Sequence, residues 1–170
     1  MKPNPLRDFE IDKDAIQYVG RDLQRPECIL AERDGTLWSA DARGGVVRIA
    51  ADGSQDVITQ RRSVHFEHAG SEATQIMSRD GTTRVLADDI DGAPIGKVNF
   101  VLRDSRDRIW ITVSTRVKNW MHALRTDLPD GYLARFEDGR FRIVADGFHF
   151  TNEIRFDANE EFLYVVETTG

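Results

Sequence analysis

Three oxygen-bearing residues each open a repeated segment of this chain: Glu27, Asn99 and Asn152. Each is followed, 11 residues later, by a large apolar residue: Trp38, Trp110 and Leu163. Repeated segments of this kind can direct their first residues toward one axis. Carboxylate and amide oxygens are the ligands that calcium-like cations prefer, whereas zinc prefers thiolate and imidazole. The pattern therefore predicts a metal site built from Glu27, Asn99 and Asn152.

Each of these residues, taken alone, also fits an ordinary structural role. Glu27 fits a carboxylate at a strand edge, because such residues usually face solvent. Asn99 and Asn152 fit turn positions, which asparagine favours. The common register across three repeats is what favours a shared site.

The elements that must position these residues are predicted to be short antiparallel strands. Cys28 to Ala31 and Leu37 to Ala40 are apolar runs separated by the turn residues Arg33-Asp34-Gly35. Two further strands, near Val46 and Asp56, complete a set of four over 27–60. Four antiparallel strands in sequence form one blade of a β-propeller.

The rest of the chain repeats this pattern incompletely. We predict a half blade over 76–90, a full blade over 98–147 with an insertion at 114–131, and a half blade over 148–170. Residues 1–24 form a lead-in segment, and the insertion is long enough to cover a channel mouth. The predicted fold is therefore all-β: a single partial propeller domain of about two full blades and two half blades.

Composition excludes several classes of protein. The 170 residues carry a net charge of -6, with an isoelectric point near 5.2, which argues against a nucleic-acid partner. Cys28 is the only cysteine, so an intrachain disulfide is excluded and a reducing compartment is expected. The sequence shows no secretory signal and no apolar run long enough to span a membrane. We expect a cytoplasmic protein without a membrane partner.

Three motifs resemble the senescence-marker-protein/gluconolactonase/regucalcin family of calcium-dependent lactonases. Arg25-Pro26-Glu27-Cys28 resembles the region of the family's first metal ligand, and Gly96-Lys97-Val98-Asn99 resembles the segment with a channel asparagine. Phe148 to Ile154 resembles the phrase that contains the family's asparagine ligand. The resemblance implies a six-bladed propeller with one divalent cation. It also implies that Lys97 and Asn99 bind the substrate, although Lys97 alone also fits a solvated surface charge.

The resemblance implies hydrolysis of a sugar lactone with calcium as cofactor; zinc, magnesium and manganese are alternatives. The family's general-base aspartate would fall beyond residue 170, so no catalytic residue is assigned. We therefore expect a fragment with impaired or no activity alone. The alternative is a non-catalytic propeller-type binding or assembly module, whose open blade edges pair with another chain, or an unstable remnant.

Overall fold

The computed structural model describes residues 10–43, 45–59, 74–78 and 80–170. The chain divides into two compact units, Met1–Ile58 and Thr59–Gly170, which we call the first and second units. Within the described ranges the fold is all-β, and its helical turns are 3-10 turns at Lys13–Ala15 and Trp120–Ala123. The predicted fold class is confirmed. None of the helices in these ranges is long and apolar enough to cross a membrane.

The first unit contains one four-stranded sheet in the strand order β1-β2-β3-β4. Its strands are β1 Leu30–Ala31, β2 Leu37–Asp41, β3 Gly45–Ile49 and β4 Gln55–Thr59. The first strand is shorter than the predicted run from Cys28 to Ala31. Cys28 has a φ of 55°, a left-handed conformation that a continuous strand does not allow. Glu27 therefore precedes the strand, although its carbonyl still accepts a hydrogen bond from the N–H of Ala40 at 3.0 Å.

The second unit contains a second four-stranded sheet, in the order β12-β11-β10-β9, and three strand pairs. The sheet consists of β9 Val98–Arg103, β10 Ile109–Val113, β11 Gly131–Glu137 and β12 Arg140–Phe148. The pairs are β5 Thr74–Met77 with β6 Thr83–Ala87, β7 Asp89–Ile90 with β8 Ala93–Pro94, and β13 Thr151–Phe156 with β14 Leu163–Glu167. The segment around His65, in which the sequence shows no blade pattern, lies outside the described residues. The hairpin of β7 and β8 was not predicted.

One type of turn recurs in both units. An aspartate carboxylate accepts a hydrogen bond from a backbone N–H two residues later, or four in the last case, which closes a tight turn. The donors lie 2.8 to 3.0 Å from the carboxylates of Asp34, Asp52, Asp80, Asp104 and Asp157. These turns connect consecutive antiparallel strands, so a local interaction sets the hairpin pattern of the fold.

Asp104 is the most deeply placed of these carboxylates. Its Oδ1 accepts from the backbone N–H groups of Arg106 and Arg108, and its Oδ2 accepts from Arg108 Nε at 2.7 Å and Trp110 Nε1 at 2.8 Å. The side chain is fully buried. Burial by itself would raise the pKa of Asp104, but the hydrogen bonds from Trp110 and Arg108 outweigh it and lower the pKa to about 2. The charged carboxylate therefore fixes the start of β10.

The core of the second unit lies between its main sheet and the β7–β8 hairpin. It is formed by buried apolar residues: Ile90, Ile95, Ile111, Val113, Tyr132, Ala134 and Phe141. Strand β10 is buried on both faces, because Ile111 and Val113 enter this core while Thr112 faces β13. Strand β13 thus packs against β9, β10 and β11 of the four-stranded sheet.

Candidate metal centre

Two of the three predicted ligands meet in the second unit. Asn99 lies in β9 and Asn152 lies in β13, and Asn99 Nδ2 donates to Asn152 Oδ1 at 3.0 Å. Both side chains are half-buried. Asn152 Nδ2 also donates to Thr168 Oγ1 at 3.2 Å. We call Asn99 and Asn152 the amide pair; it joins positions 53 residues apart in the sequence.

Two hydroxyl groups of the β10 region fix the backbone beneath the amide pair. Thr112 Oγ1 donates to the carbonyl of Asn152 at 2.6 Å and accepts from the N–H of Phe100 at 2.9 Å. Ser114 Oγ donates to the carbonyl of Thr151 at 2.7 Å. Thr112 and Ser114 are two residues apart, and residues at this spacing in a strand point to the same face, so both side chains face β13. Because both are almost fully buried, these bonds are shielded from competition with water.

The amide pair would present two oxygens to a hard cation only after one of its amides had turned over, because Asn99 now directs its nitrogen at Asn152 Oδ1. Asn99 Oδ1 makes no hydrogen bond within the described part of the chain. A half turn of the Asn99 amide would exchange its nitrogen and oxygen, and terminal amide torsions are broadly two-fold. The two oxygens would then lie about 3 Å apart, a spacing that two ligands roughly 2.4 Å from one calcium ion can adopt.

Glu27, the third predicted ligand, belongs to the first unit. Its side chain is 57% exposed, and Oε1 lies 3.2 Å from Arg25 Nη2. An exposed pair of this kind contributes little stability, so exchanging Arg25 for another cation costs little. In the described ranges, Glu27 included, no group of three or more His, Cys, Asp or Glu side chains is placed to hold a metal. The assignment of Glu27, Asn99 and Asn152 as a common ligand set stays a prediction.

Lys97 lies two residues before Asn99 and is held by backbone bonds. Its N–H donates to the carbonyl of Thr115 at 2.9 Å, and its carbonyl accepts from the N–H of Ser114 at 2.8 Å. Gly96 makes this close approach feasible, because a Cβ on Gly96 would lie 2.6 Å from the carbonyl oxygen of Thr115. The Gly96 φ of 91° likewise favours glycine. The backbone at Lys97 is therefore well fixed.

An aromatic residue from the 114–131 insertion completes this region. Lys97 Nζ lies 5.8 Å from the centre of the Trp120 ring. The Trp120 ring in turn lies 6.1 Å from the ring of Phe150, at an interplanar angle of 52°. No local signal in the sequence pairs Trp120 with Lys97.

Tyr132 supports the same segment from behind. Its hydroxyl donates to the carbonyl of Ile95, immediately before Gly96, and the guanidinium of Arg116 lies 4.2 Å from its ring centre. Burial raises the pKa of Tyr132 to about 12, although the nearby Arg116 cation opposes the rise. Tyr132 is therefore a neutral hydrogen-bond donor at physiological pH, with a structural role rather than an acid–base one.

Comparison with known proteins gives a fold but no sequence family. No family profile and no curated protein sequence matches this chain. Among solved structures, it is similar to a Xanthomonas campestris gluconolactonase described as important in glucose secondary metabolic pathways. The TM-score is 0.66 at 22% identity, and the alignment covers 86% of this chain and 55% of that protein.

A second similar structure is a structural-genomics target that is provisionally named a gluconolactonase. Its TM-score is 0.64 at 14% identity, and the alignment covers 88% of this chain and 58% of that one. The chain thus spans little more than half the length of either protein. Together with the strand order of its sheets, these similarities give the chain the fold of part of a gluconolactonase-like β-propeller.

Proposed function

We propose that this chain carries part of the binding site of a divalent-cation-dependent sugar-lactone hydrolase. The observation that supports it is the amide pair, in which Asn99 and Asn152 meet at 3.0 Å from two neighbouring sheets. Lys97 supplies a cation two residues from Asn99, and the fold is similar to that of gluconolactonases. Asn99 and Asn152 would hold the cation, with Glu27 as the proposed carboxylate ligand.

The chemistry follows from these donors. A bound cation would supply Lewis acidity toward the carbonyl of the lactone ring. Lys97 donates hydrogen bonds to ring hydroxyls of the lactone and attracts the carboxylate of the hydrolysed product. Asn99 fixes the depth of the substrate beside Lys97. The aldonate product is an anion, so Lys97 makes its strongest contact after hydrolysis.

Proton removal from the attacking water needs a base, and the described residues of the second unit place none at the amide pair. No described carboxylate hydrogen-bonds to Asn99 or Asn152, and Glu153, next in sequence, is exposed. General bases contribute roughly 100- to 10,000-fold to such reactions. We therefore propose that this chain binds cation and ligand but hydrolyses lactones slowly or not at all.

Calcium titration of thermal stability tests the cation site. Two neutral amides with one carboxylate form a weak site, with an affinity in the range of about 0.1 to 1 mM. At 10 mM calcium, a dissociation constant near 1 mM stabilises the folded chain by about 1.4 kcal/mol. The melting temperature should then rise by roughly 3 to 6 °C.

Matched variants locate the effect. Asn152→Ala and Asn99→Ala should each abolish the calcium-dependent shift, because each removes one ligand. Asn159→Ala, at an exposed turn position, should leave the shift intact. Equal shifts in all three variants, or no shift in the unmodified chain, would contradict the metal site. Any turnover of glucono-lactone, measured by acid release, should depend on the same two asparagines.

Self-association is a second candidate, because strand β14 is open. In the described part of the chain β14 pairs only with β13, and Phe162, Tyr164 and Val166 are more than half exposed. Such an edge can add a strand from another chain. Light scattering after size-exclusion chromatography should show dimers at high concentration, and Val166→Lys should reduce them. A monomer at all concentrations would exclude this candidate.

A further inference from the structure

Trp120 occupies a bridging position that the proposed function does not use. The centre of its ring lies 6.1 Å from that of Phe150 and 5.8 Å from Lys97 Nζ. Phe150 is only 8% exposed, so it gives Trp120 a fixed surface to lie against. The neighbouring Met121 is 55% exposed and turns to solvent. The 3-10 turn therefore presents Trp120, and not the apolar residue beside it, to this region.

This contact lies immediately before the two strands that carry the amide pair. Lys97 lies two residues before Asn99, and Phe150 lies two residues before Asn152. Lys97 immediately precedes β9, and Phe150, whose φ is 51°, immediately precedes β13. Two cross-connections thus join the same two segments: the amide hydrogen bond at 3.0 Å and, beside it, the aromatic bridge through Trp120.

We infer that Trp120 is a positioning residue that holds the Lys97 ammonium beside the amide pair for an anionic, polyhydroxylated ligand. A free lysine side chain samples many rotamers, and ordering it on binding lowers affinity. An ammonium within about 6 Å of an indole centre is attracted by the ring quadrupole. Trp120 pre-orders Lys97 in this way. The inference rests on the proposed function for the identity of the ligand.

The contact itself can be measured without any ligand. The chain has four lysines, Lys2, Lys13, Lys97 and Lys118, so reductive 13C-methylation gives few NMR signals. Lys97→Arg identifies the Lys97 signal, and the dimethylated amine keeps its charge. Ring current from Trp120 should shift this signal away from the other three. Trp120→Leu should abolish the shift, Trp120→Phe should retain part of it, and Met121→Leu should not change it.

The affinity for gluconate, measured by calorimetry at 10 mM calcium, tests whether the ordering of Lys97 by Trp120 strengthens ligand binding. Trp120→Leu and Lys97→Met should each weaken gluconate binding, by about fivefold for Trp120→Leu, the size of one partly exposed cation–π contact. In the double variant the loss should not exceed that of Lys97→Met, because Trp120 acts through Lys97. Trp120→Phe should restore part of the affinity, which a purely structural role in the insertion would not predict.

The outcomes separate the two proposals. A Lys97 signal that is unchanged by both Trp120 substitutions overturns the inference, as do losses that multiply in the double variant. If the unmodified chain binds neither calcium nor gluconate, the proposed function fails. The role of Lys97 and Trp120 in ligand binding then fails with it. Variants that no longer fold are recognised by circular dichroism, in which case Trp120→Phe alone decides between the outcomes.

Discussion

Replacing Asp104 by asparagine should destabilise the second unit strongly at neutral pH. The carboxylate has a pKa of about 2 in the folded chain against an ordinary value of 3.8. Each unit of difference corresponds to about 1.4 kcal/mol, so the charged form contributes about 2.5 kcal/mol to the free energy of unfolding. An amide adds to the loss, because two of the four donors around residue 104 would face an NH2 group whichever way it turned. The total loss should be about 3 kcal/mol.

The pH dependence of this loss has a definite sign. Because folding lowers the pKa of Asp104, its contribution is fully present above 3.8 and disappears as the pH falls from 3.8 through 2. The difference between the original chain and Asp104→Asn should therefore be constant from pH 7 to 5. It should shrink steadily below pH 4, since a protonated carboxyl resembles the amide.

Urea unfolding followed by tryptophan fluorescence measures this difference. A Trp38→Phe background leaves Trp110 and Trp120, both in the second unit, as reporters. Asp107→Asn is the matched control: it removes the same charge three residues away, from a side chain that is 76% exposed and 2.9 Å from Arg103. That change should cost between 0 and about 1 kcal/mol. Equal losses at positions 104 and 107, or a loss at position 104 that is independent of pH, would refute the reasoning.

Three further predictions concern other buried contacts. Gly131→Ala should lower the stability of the second unit by about 1 to 3 kcal/mol in urea, because a Cβ would lie 2.3 Å from Thr151 Oγ1 and 2.8 Å from the carbonyl of Phe148; an unchanged midpoint would show that these neighbours yield. Thr151→Val should leave stability unchanged or raise it, since the buried hydroxyl oxygen has no hydrogen-bond partner among the described residues; a loss above about 1 kcal/mol would reveal a bound water. Asp41→Asn should destabilise the first unit above pH 4 and have less effect as the pH falls, because hydrogen bonds from Arg43 hold the pKa of Asp41 well below 3.8; the fluorescence of the first unit's tryptophan reports this, and an effect that is constant down to pH 2 would contradict it.

Much of the hairpin pattern could be predicted because it is encoded locally. Asp34, Asp52 and Asp104 each sit in a short polar stretch between two apolar runs, and each carboxylate binds an N–H two residues later. Such a turn requires no distant partner, so the sequence pattern alone indicates it. The repeated spacing also placed Asn99 and Asn152 at the start of equivalent strands, which is why they could be paired in advance.

What the sequence could not provide depends on distant contacts. The backbone of Cys28 turns left-handed and shortens the first strand, although its residue types favour a strand from Cys28 onward. The position of Trp120 depends on how the insertion is anchored, in part by Thr115 Oγ1 and the N–H of Arg116, which both donate to Asp130. No periodicity indicates these bonds, because they join irregular segments. The Lys97–Trp120 contact therefore became visible only in three dimensions.

The hydroxyl groups of Thr112 and Ser114 give the amide pair an unusual dependence on a neighbouring layer. Backbone hydrogen bonds join most neighbouring strands whatever their side chains are. The packing of β13 against β10, in contrast, depends on hydrogen bonds from two specific side chains, Thr112 and Ser114. A substitution as mild as Thr112→Val would free the carbonyl of Asn152 and let its amide reorient, with every proposed ligand still in the sequence. Substitution at position 112 would thus alter the proposed cation site, although a comparison of the proposed ligands among homologues would show no change.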